Sequence, residues 1–223
     1  MHLEAVRARV AQAAERARRD PAEVSIVAVT KGHPLAVVRE AAAGGLLDIG
    51  ENRVQESLEK QEVWPEAPVR WHLIGHLQSN KAKRAVGRFA LIQSVDSARL
   101  ADELERAAAA RGLTQDVLVQ VNVAREAQKT GVVPEEAEAL VAHVASRAHL
   151  ALTGLMTMAR LTDDTQVIRA TFRALRELRD RLSTADCRLP TVSMGMSNDF
   201  EIAIEEGATM LRLGTVFFGE REP

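Results

Sequence analysis

Tyrosine is absent from this chain. No step that needs a phenol as general acid or base can therefore be assigned to it. Cysteine is nearly absent: Cys187 stands alone. That excludes an internal disulfide and fits a reducing, cytoplasmic setting. Cys187 lies in the polar stretch Thr184-Ala185-Asp186-Cys187-Arg188 with no histidine beside it, which is poor company for a catalytic thiolate. Long apolar runs are missing, and none approaches the ~18 residues that cross a bilayer, so no membrane partner is expected. The first nineteen residues are charged and Ala-rich, without the apolar centre of a secretory signal, and Glu4 and Glu15 argue against a transit peptide. Neither sign of charge dominates. The 29 basic and 31 acidic residues leave a net charge of −2, which gives no electrostatic ground for nucleic acid. A Gly-x-Gly-x-x-Gly turn does not follow the first strand, and no Walker-type Gly-Lys-Ser/Thr occurs. The usual dinucleotide and nucleotide readings of an α/β chain thus fall away.

What is present is regular in order. The 223 residues, 46% of them apolar, suffice for a large core. With no linker, low-complexity segment or fixed-period repeat, residues 1–223 are expected to form one domain. Leu3, Val6, Val10 and Ala14 recur at helical spacing, so 1–19 predicts an amphipathic helix that Asp20-Pro21 ends. Strands are predicted at 24–30, 46–50, 69–74, 89–93, 116–121, 150–155, 191–193 and 208–213. Helices between them open at Pro34, Glu51, Ser79, Ser97, Pro134 and Thr165. Asn198, with Glu201 three residues on, has the pattern of a capping box for a last helix to Glu206. Strict alternation predicts a parallel sheet covered by helices. An extra N-terminal helix and eight strand–helix units, the last truncated, favour a closed (β/α)8 TIM barrel over a doubly wound sheet.

In such a barrel the active site lies at the C-terminal ends of the strands. The first strand delivers Lys31 there. A desolvated ammonium is costly without a partner, so two readings stand: a lysine that snorkels at the rim, or a reactive lysine able to form a Schiff base. The seventh strand runs through Ser193-Met194-Gly195-Met196-Ser197-Asn198 towards a helix N-terminus, and the eighth ends on Gly214-Thr215. Free backbone N–H groups in such turns favour an anion, and barrels commonly bind phosphate after these two strands. A phosphate there plus a lysine on the neighbouring first strand suggests pyridoxal 5′-phosphate. Arg212 precedes the second turn by two residues, so it shares a face with Gly214 and is placed to meet a pyridine nitrogen. An arginine stays protonated, which would leave that nitrogen unprotonated and the ring a weaker electron sink. The alternative is that Arg212 neutralises Glu205, Glu206 or a phosphate. His72 and His76 straddle a strand end with no carboxylate set to complete a metal site, so no metal is expected. His33, His143 and His149 read as solvated or rim residues.

Several longer strings resemble a known family. They are Ala28-Val29-Thr30-Lys31, Gly50-Glu51-Asn52-Arg53-Val54-Gln55-Glu56, Trp71-His72-Leu73-Ile74-Gly75-His76-Leu77-Gln78-Ser79-Asn80-Lys81, Gln120-Val121-Asn122, Gly154-Leu155-Met156, Ser193-Met194-Gly195-Met196-Ser197-Asn198-Asp199 and Arg212-Leu213-Gly214-Thr215. In this order, over nearly the whole chain, they resemble the YggS/PROSC family of pyridoxal phosphate homeostasis proteins. The resemblance implies a barrel similar to the alanine racemase N-terminal domain. It implies pyridoxal 5′-phosphate as cofactor, held as a Schiff base on Lys31, with Arg212 facing the pyridine nitrogen and Asn52 beside the ring. Ser193, Ser197, Gly214 and Thr215 would hold the phosphate. It further implies a part in vitamin B6 and amino-acid homeostasis without established turnover, with PLP-dependent apo-enzymes as recipients; a monomer is expected. Two departures stand out: Arg53 occupies a position commonly tyrosine, and Thr30 one commonly serine. An amino-acid racemase on the same scaffold is the alternative function. It needs a second base opposite the lysine, commonly a tyrosine, which the chain lacks and for which His72 or His76 would have to substitute, and a second domain over the site, which is not expected here.

Overall fold

The computed structural model describes residues 2–126 and 128–219. Met1, Ala127 and residues 220–223, which include both ends of the expected 1–223 domain, lie outside the described residues. The strands are β1 (Ser25–Val29), β2 (Asp48–Glu51), β3 (Arg70–Leu73), β4 (Leu91–Val95), β5 (Gln115–Gln120), β6 (Leu150–Met156), β7 (Thr191–Ser193) and β8 (Met210–Leu213). Helix α1 (Leu3–Arg16) precedes them. Between and after them come α2 (Leu35–Ala43), α3 (Val54–Val63), α4 (Ala82–Ala85), α5 (Ala98–Ala109), α6 (Ala137–Ala145), α7 (Thr165–Leu182), α8 (Phe200–Glu205) and α9 (Thr215–Phe218). Each strand pairs in parallel with the next, and β1 also pairs with β8, so the sheet closes into the expected barrel. Val27 is in register with Asp48 on one side and Arg212 on the other. Parallel register partners share a face, so Asp48 and Arg212 look into the same interior.

Local chemistry explains most boundaries. The Ser97 hydroxyl accepts from the Leu100 amide at the start of α5, and Asp164 accepts from Gln166 and Val167 at the start of α7. Apolar side chains fill the layer between sheet and helices, while a small separate cluster of Leu91, Leu118 and Met156, with Met158 and Met210 against it, fills part of the barrel lumen. Helix α1 buries Val6, Val10, Ala13 and Ala14. Arg9 pairs with Glu201 at 3.0 Å and Arg16 with Glu205 at 2.8 Å, fixing α1 against α8. Burial of each of its two valines contributes about 1.5–3 kcal/mol, more than exposed ion pairs of this kind.

Several expectations need correction. Glu51 does not open a helix: it ends β2 and is fully buried, because Lys60 and Thr30 hold its carboxylate. The capping box at Asn198 does not form. Asp199 is the N-cap of α8, and its side chain turns back to accept from the Met196 amide at 2.5 Å. The fourth strand begins and ends two residues later than 89–93, since Gln93 and Ser94, polar and fully buried, belong inside it. The last unit gains a short helix, α9, directly after Gly214.

Candidate functional site

A line of polar side chains crosses the barrel interior from the rim to the opposite end. Arg212, only 4% exposed, donates through Nη1 to the Ser193 hydroxyl (2.7 Å) and through Nη2 to the Thr157 carbonyl (2.8 Å). Ser193 Oγ lies 2.7 Å from Gln93 Oε1, Gln93 Nε2 lies 3.2 Å from His72 Nδ1, and His72 Nε2 lies 2.9 Å from Asp48 Oδ1. Arg70 closes the line with two 2.6 Å bonds to Asp48. Its direction follows from its ends. An arginine can only donate and an ionised carboxylate can only accept. Ser193 must therefore pass its proton to Gln93 Oε1, the Gln93 amide must donate to His72 Nδ1, and His72 must carry its proton on Nε2. Burial pushes the Arg212 guanidinium down to about 10, against the pull of Asp199, so it remains a cation at neutral pH. Glu205 and Glu206 are not its partners; Arg16, Arg169 and Arg173 take them. Burial also raises Asp48, yet the hydrogen bonds from His72 and Arg70 win and hold it at about 2.

Lys31 follows the last residues of β1 in a turn and is partly buried. Gly32 has φ 72°, a conformation that favours glycine, so the chain turns sharply just beyond the lysine. Asn52 follows β2, the strand beside β1. A Cβ on Gly75 would stand 2.3 Å from the Asn52 carbonyl oxygen, so only glycine lets the loop after β3 reach this backbone. On the other flank, the Ser197 hydroxyl accepts from the amides of Gly214 (3.3 Å) and Val216 (3.2 Å). Thr215, the first residue of α9, lies exposed between them. A Cβ on Gly214 would come 3.2 Å from the Val29 carbonyl, which puts this nest against the end of β1, two residues before Lys31.

The structure thus pairs Ser193 with Arg212 and Ser197 with Gly214, and sets Lys31 and Asn52 on adjacent strand ends. Ser193 stands inside the barrel beneath the turn. Gln93 and Thr157 carry no assigned role in the sequence, and His72 is weighed there only as a metal ligand or second base; the one signal for Gln93 is the polar Gln93-Ser94 pair closing an apolar strand. His76 pairs with Asp96 at 3.2 Å near the rim. Burial raises the Cys187 thiol. Among the described residues, no three His, Cys, Asp or Glu side chains gather as a metal site, and no helix is long and apolar enough to cross a membrane.

Comparison with known proteins places this geometry. The model of the alanine racemase N-terminal domain family matches residues 1–222. The chain belongs to the alanine racemase N-terminal domain family. Within it, the pyridoxal phosphate homeostasis protein of Aquifex aeolicus is 43% identical over 221 residues, covering 99% of this chain and 97% of that one. The protein of the same description from Pseudomonas aeruginosa is 44% identical, covering 97% and 93%. Among solved structures, PipY of Synechococcus elongatus with PLP bound is 36% identical with a TM-score of 0.81, over 94% of this chain and 100% of that one. Alanine racemase of Clostridium difficile, at 14% identity and a TM-score of 0.78, shares the fold over 96% of this chain and 59% of its own.

Proposed function

We propose that this chain binds pyridoxal 5′-phosphate at the C-terminal rim of its barrel and serves vitamin B6 and amino-acid homeostasis; its relatives are named for pyridoxal phosphate homeostasis. The observation that carries this is the nest after β8. Two backbone amides there, at Gly214 and Val216, converge on one hydroxyl oxygen of Ser197. Convergent amides at a strand–helix turn suit a phosphate oxygen, and a serine that can swing aside adds a further donor. In this assignment Ser197, Gly214 and Thr215 hold the phosphate. Arg212 meets the pyridine nitrogen with donors beyond the two spent on Ser193 and Thr157, since a guanidinium has five N–H groups. Ser193 serves by holding Arg212 in place, and Asn52 lies beside the ring. Bound there, the cofactor supplies an aldehyde carbon to which an amine adds with loss of one water. Lys31 is the Schiff-base lysine.

The arrangement suits holding the cofactor more than turning over an amino acid. Racemisation by two bases needs a partner opposite the lysine. The chain has no tyrosine, both ring nitrogens of His72 are engaged inside the barrel, and His76 is paired with Asp96. Residues 1–223 act as one domain and as a monomer, with PLP-dependent apo-enzymes as recipients of the released cofactor. Two measurements test this. The visible spectrum of the loaded protein should shift when an amino acid is added, as the lysine is exchanged for the new amine. In deuterated water, α-proton exchange of amino acids should stay at the rate of free pyridoxal phosphate. Exchange at enzyme-like rates that vanishes in Lys31→Ala would establish a racemase instead.

A further inference from the structure

Beside β1, outside the polar line through the barrel, lies a buried ionic cluster. Lys60 of α3 donates to Glu51 Oε1 (2.7 Å), to Glu56 Oε1 (3.1 Å) and to the Thr30 carbonyl (3.1 Å). The Thr30 hydroxyl donates to the same Glu51 oxygen at 2.6 Å, and the Gly32 amide donates to Glu56 at 2.6 Å. Glu51 is fully buried and the Lys60 side chain is 9% exposed. A buried ion pair is a poor device for stability alone, because well-packed apolar residues of similar size commonly do as well or better. Here one carboxylate oxygen, Glu51 Oε2, is buried with no hydrogen-bond partner, which adds a further cost. What the cluster does secure is local. The bonds it makes outside itself go to Thr30 and Gly32, the residues on either side of Lys31.

We propose that Glu51, Glu56 and Lys60 are positioning residues, which clamp the backbone on both sides of Lys31 and so set how readily its amine reaches the cofactor's aldehyde. The inference rests on the cofactor-binding assignment to this rim. The chemistry is that of proximity: a reacting amine on a fixed backbone spends less of its encounters misdirected, and small displacements cost large factors in rate. Thr30 and Lys60 also explain each other. Without Lys60 the Thr30 hydroxyl would meet a buried carboxylate with nothing to balance its charge, and the Thr30 carbonyl would lose its donor.

The test uses the double variant Glu51→Gln/Lys60→Met, which removes both buried charges together and leaves only the partly exposed Glu56 without its cation. Two ligands are compared on the full chain. Pyridoxine 5′-phosphate lacks the aldehyde and reports anchoring of phosphate and ring. Pyridoxal 5′-phosphate reports covalent attachment through the growth of its visible band. The expected result is a folded double variant that binds pyridoxine phosphate within about twofold of the wild type and attaches pyridoxal phosphate at least about tenfold more slowly. Attachment at the wild-type rate, or equal losses for both ligands, would overturn the positioning role. A wild type that binds neither ligand would overturn the cofactor assignment itself. Glu56→Ala changes a partly exposed helix position; it releases Gly32 and removes one of the two carboxylates on Lys60, which keeps Glu51 and the Thr30 carbonyl. It should slow attachment about threefold with anchoring unchanged, and it decides the matter should the double variant fail to fold; an unchanged attachment rate in it would refute the clamp.

Discussion

Arg212 is a buried cation bonded to a serine hydroxyl and a backbone carbonyl, with Asp199 as its nearby opposite charge. Its position therefore depends on neutral acceptors, and Ser193 is the one that mutation can remove. Ser193→Ala should cost about 1–3 kcal/mol, the usual penalty for orphaning buried polar partners, measured by denaturant unfolding. It should also weaken cofactor binding, because Arg212 loses one of its two anchors. At the other end of the line, Asp48 is held at about 2 against an ordinary 3.8. A carboxyl lowered by folding stabilises the protein at pH values above its unfolded pKa, and that contribution is lost as pH falls from about 4 towards 2. Because Arg70 is largely exposed, with 61% of its side chain open, the contribution is about 1–2 kcal/mol and not the full value of the shift. Asp48→Asn should thus unfold at lower denaturant than the wild type at pH 7, with the gap closing at pH 2. Lys31, just past the end of an apolar strand, and Arg212, within one, stand out in the sequence because a charged residue there violates the pattern. Gln93 and His72 do not. Neutral polar residues near strand ends carry no such penalty, and only the closed barrel brings them into line.

Between elements, the decisive contacts are backbone on backbone. At Gly154 an added Cβ would sit 1.9 Å from the Thr191 carbonyl oxygen. Gly154→Ala must therefore push β6 and β7 apart, and a loss of about 3 kcal/mol or more is expected. Gly75→Ala meets the Asn52 carbonyl in the same way, but at the site; it should weaken cofactor binding along with stability. Ser97→Ala is the contrast. It removes the cap of α5, costs about 1 kcal/mol and should leave cofactor affinity alone. Thermal or denaturant unfolding with a parallel binding titration separates the three. The helices with long apolar stripes and clear caps, α5 and α7, are legible within a residue or two. Elements at the rim are not: the sequence places a helix start at Glu51, which ends β2, and gives no signal for α9. In both, tertiary partners or a single glycine override local propensity.

For the whole molecule, the alternation of strands and helices was enough to predict a closed parallel barrel, because eight such units bury their apolar strands best by closing. Closure then does what no sequence spacing can. It brings β1 beside β8, with Val27 in register with Arg212, and so unites a lysine and an arginine nearly the length of the chain apart. The central claim is that this juxtaposition makes Lys31 the covalent anchor of pyridoxal 5′-phosphate. Its most direct test is borohydride reduction of the loaded protein followed by peptide mass mapping. A single pyridoxyl adduct on the peptide carrying Lys31, absent in Lys31→Ala, is the predicted result; a protein that binds the cofactor but carries its adduct on another lysine, or none, would contradict it.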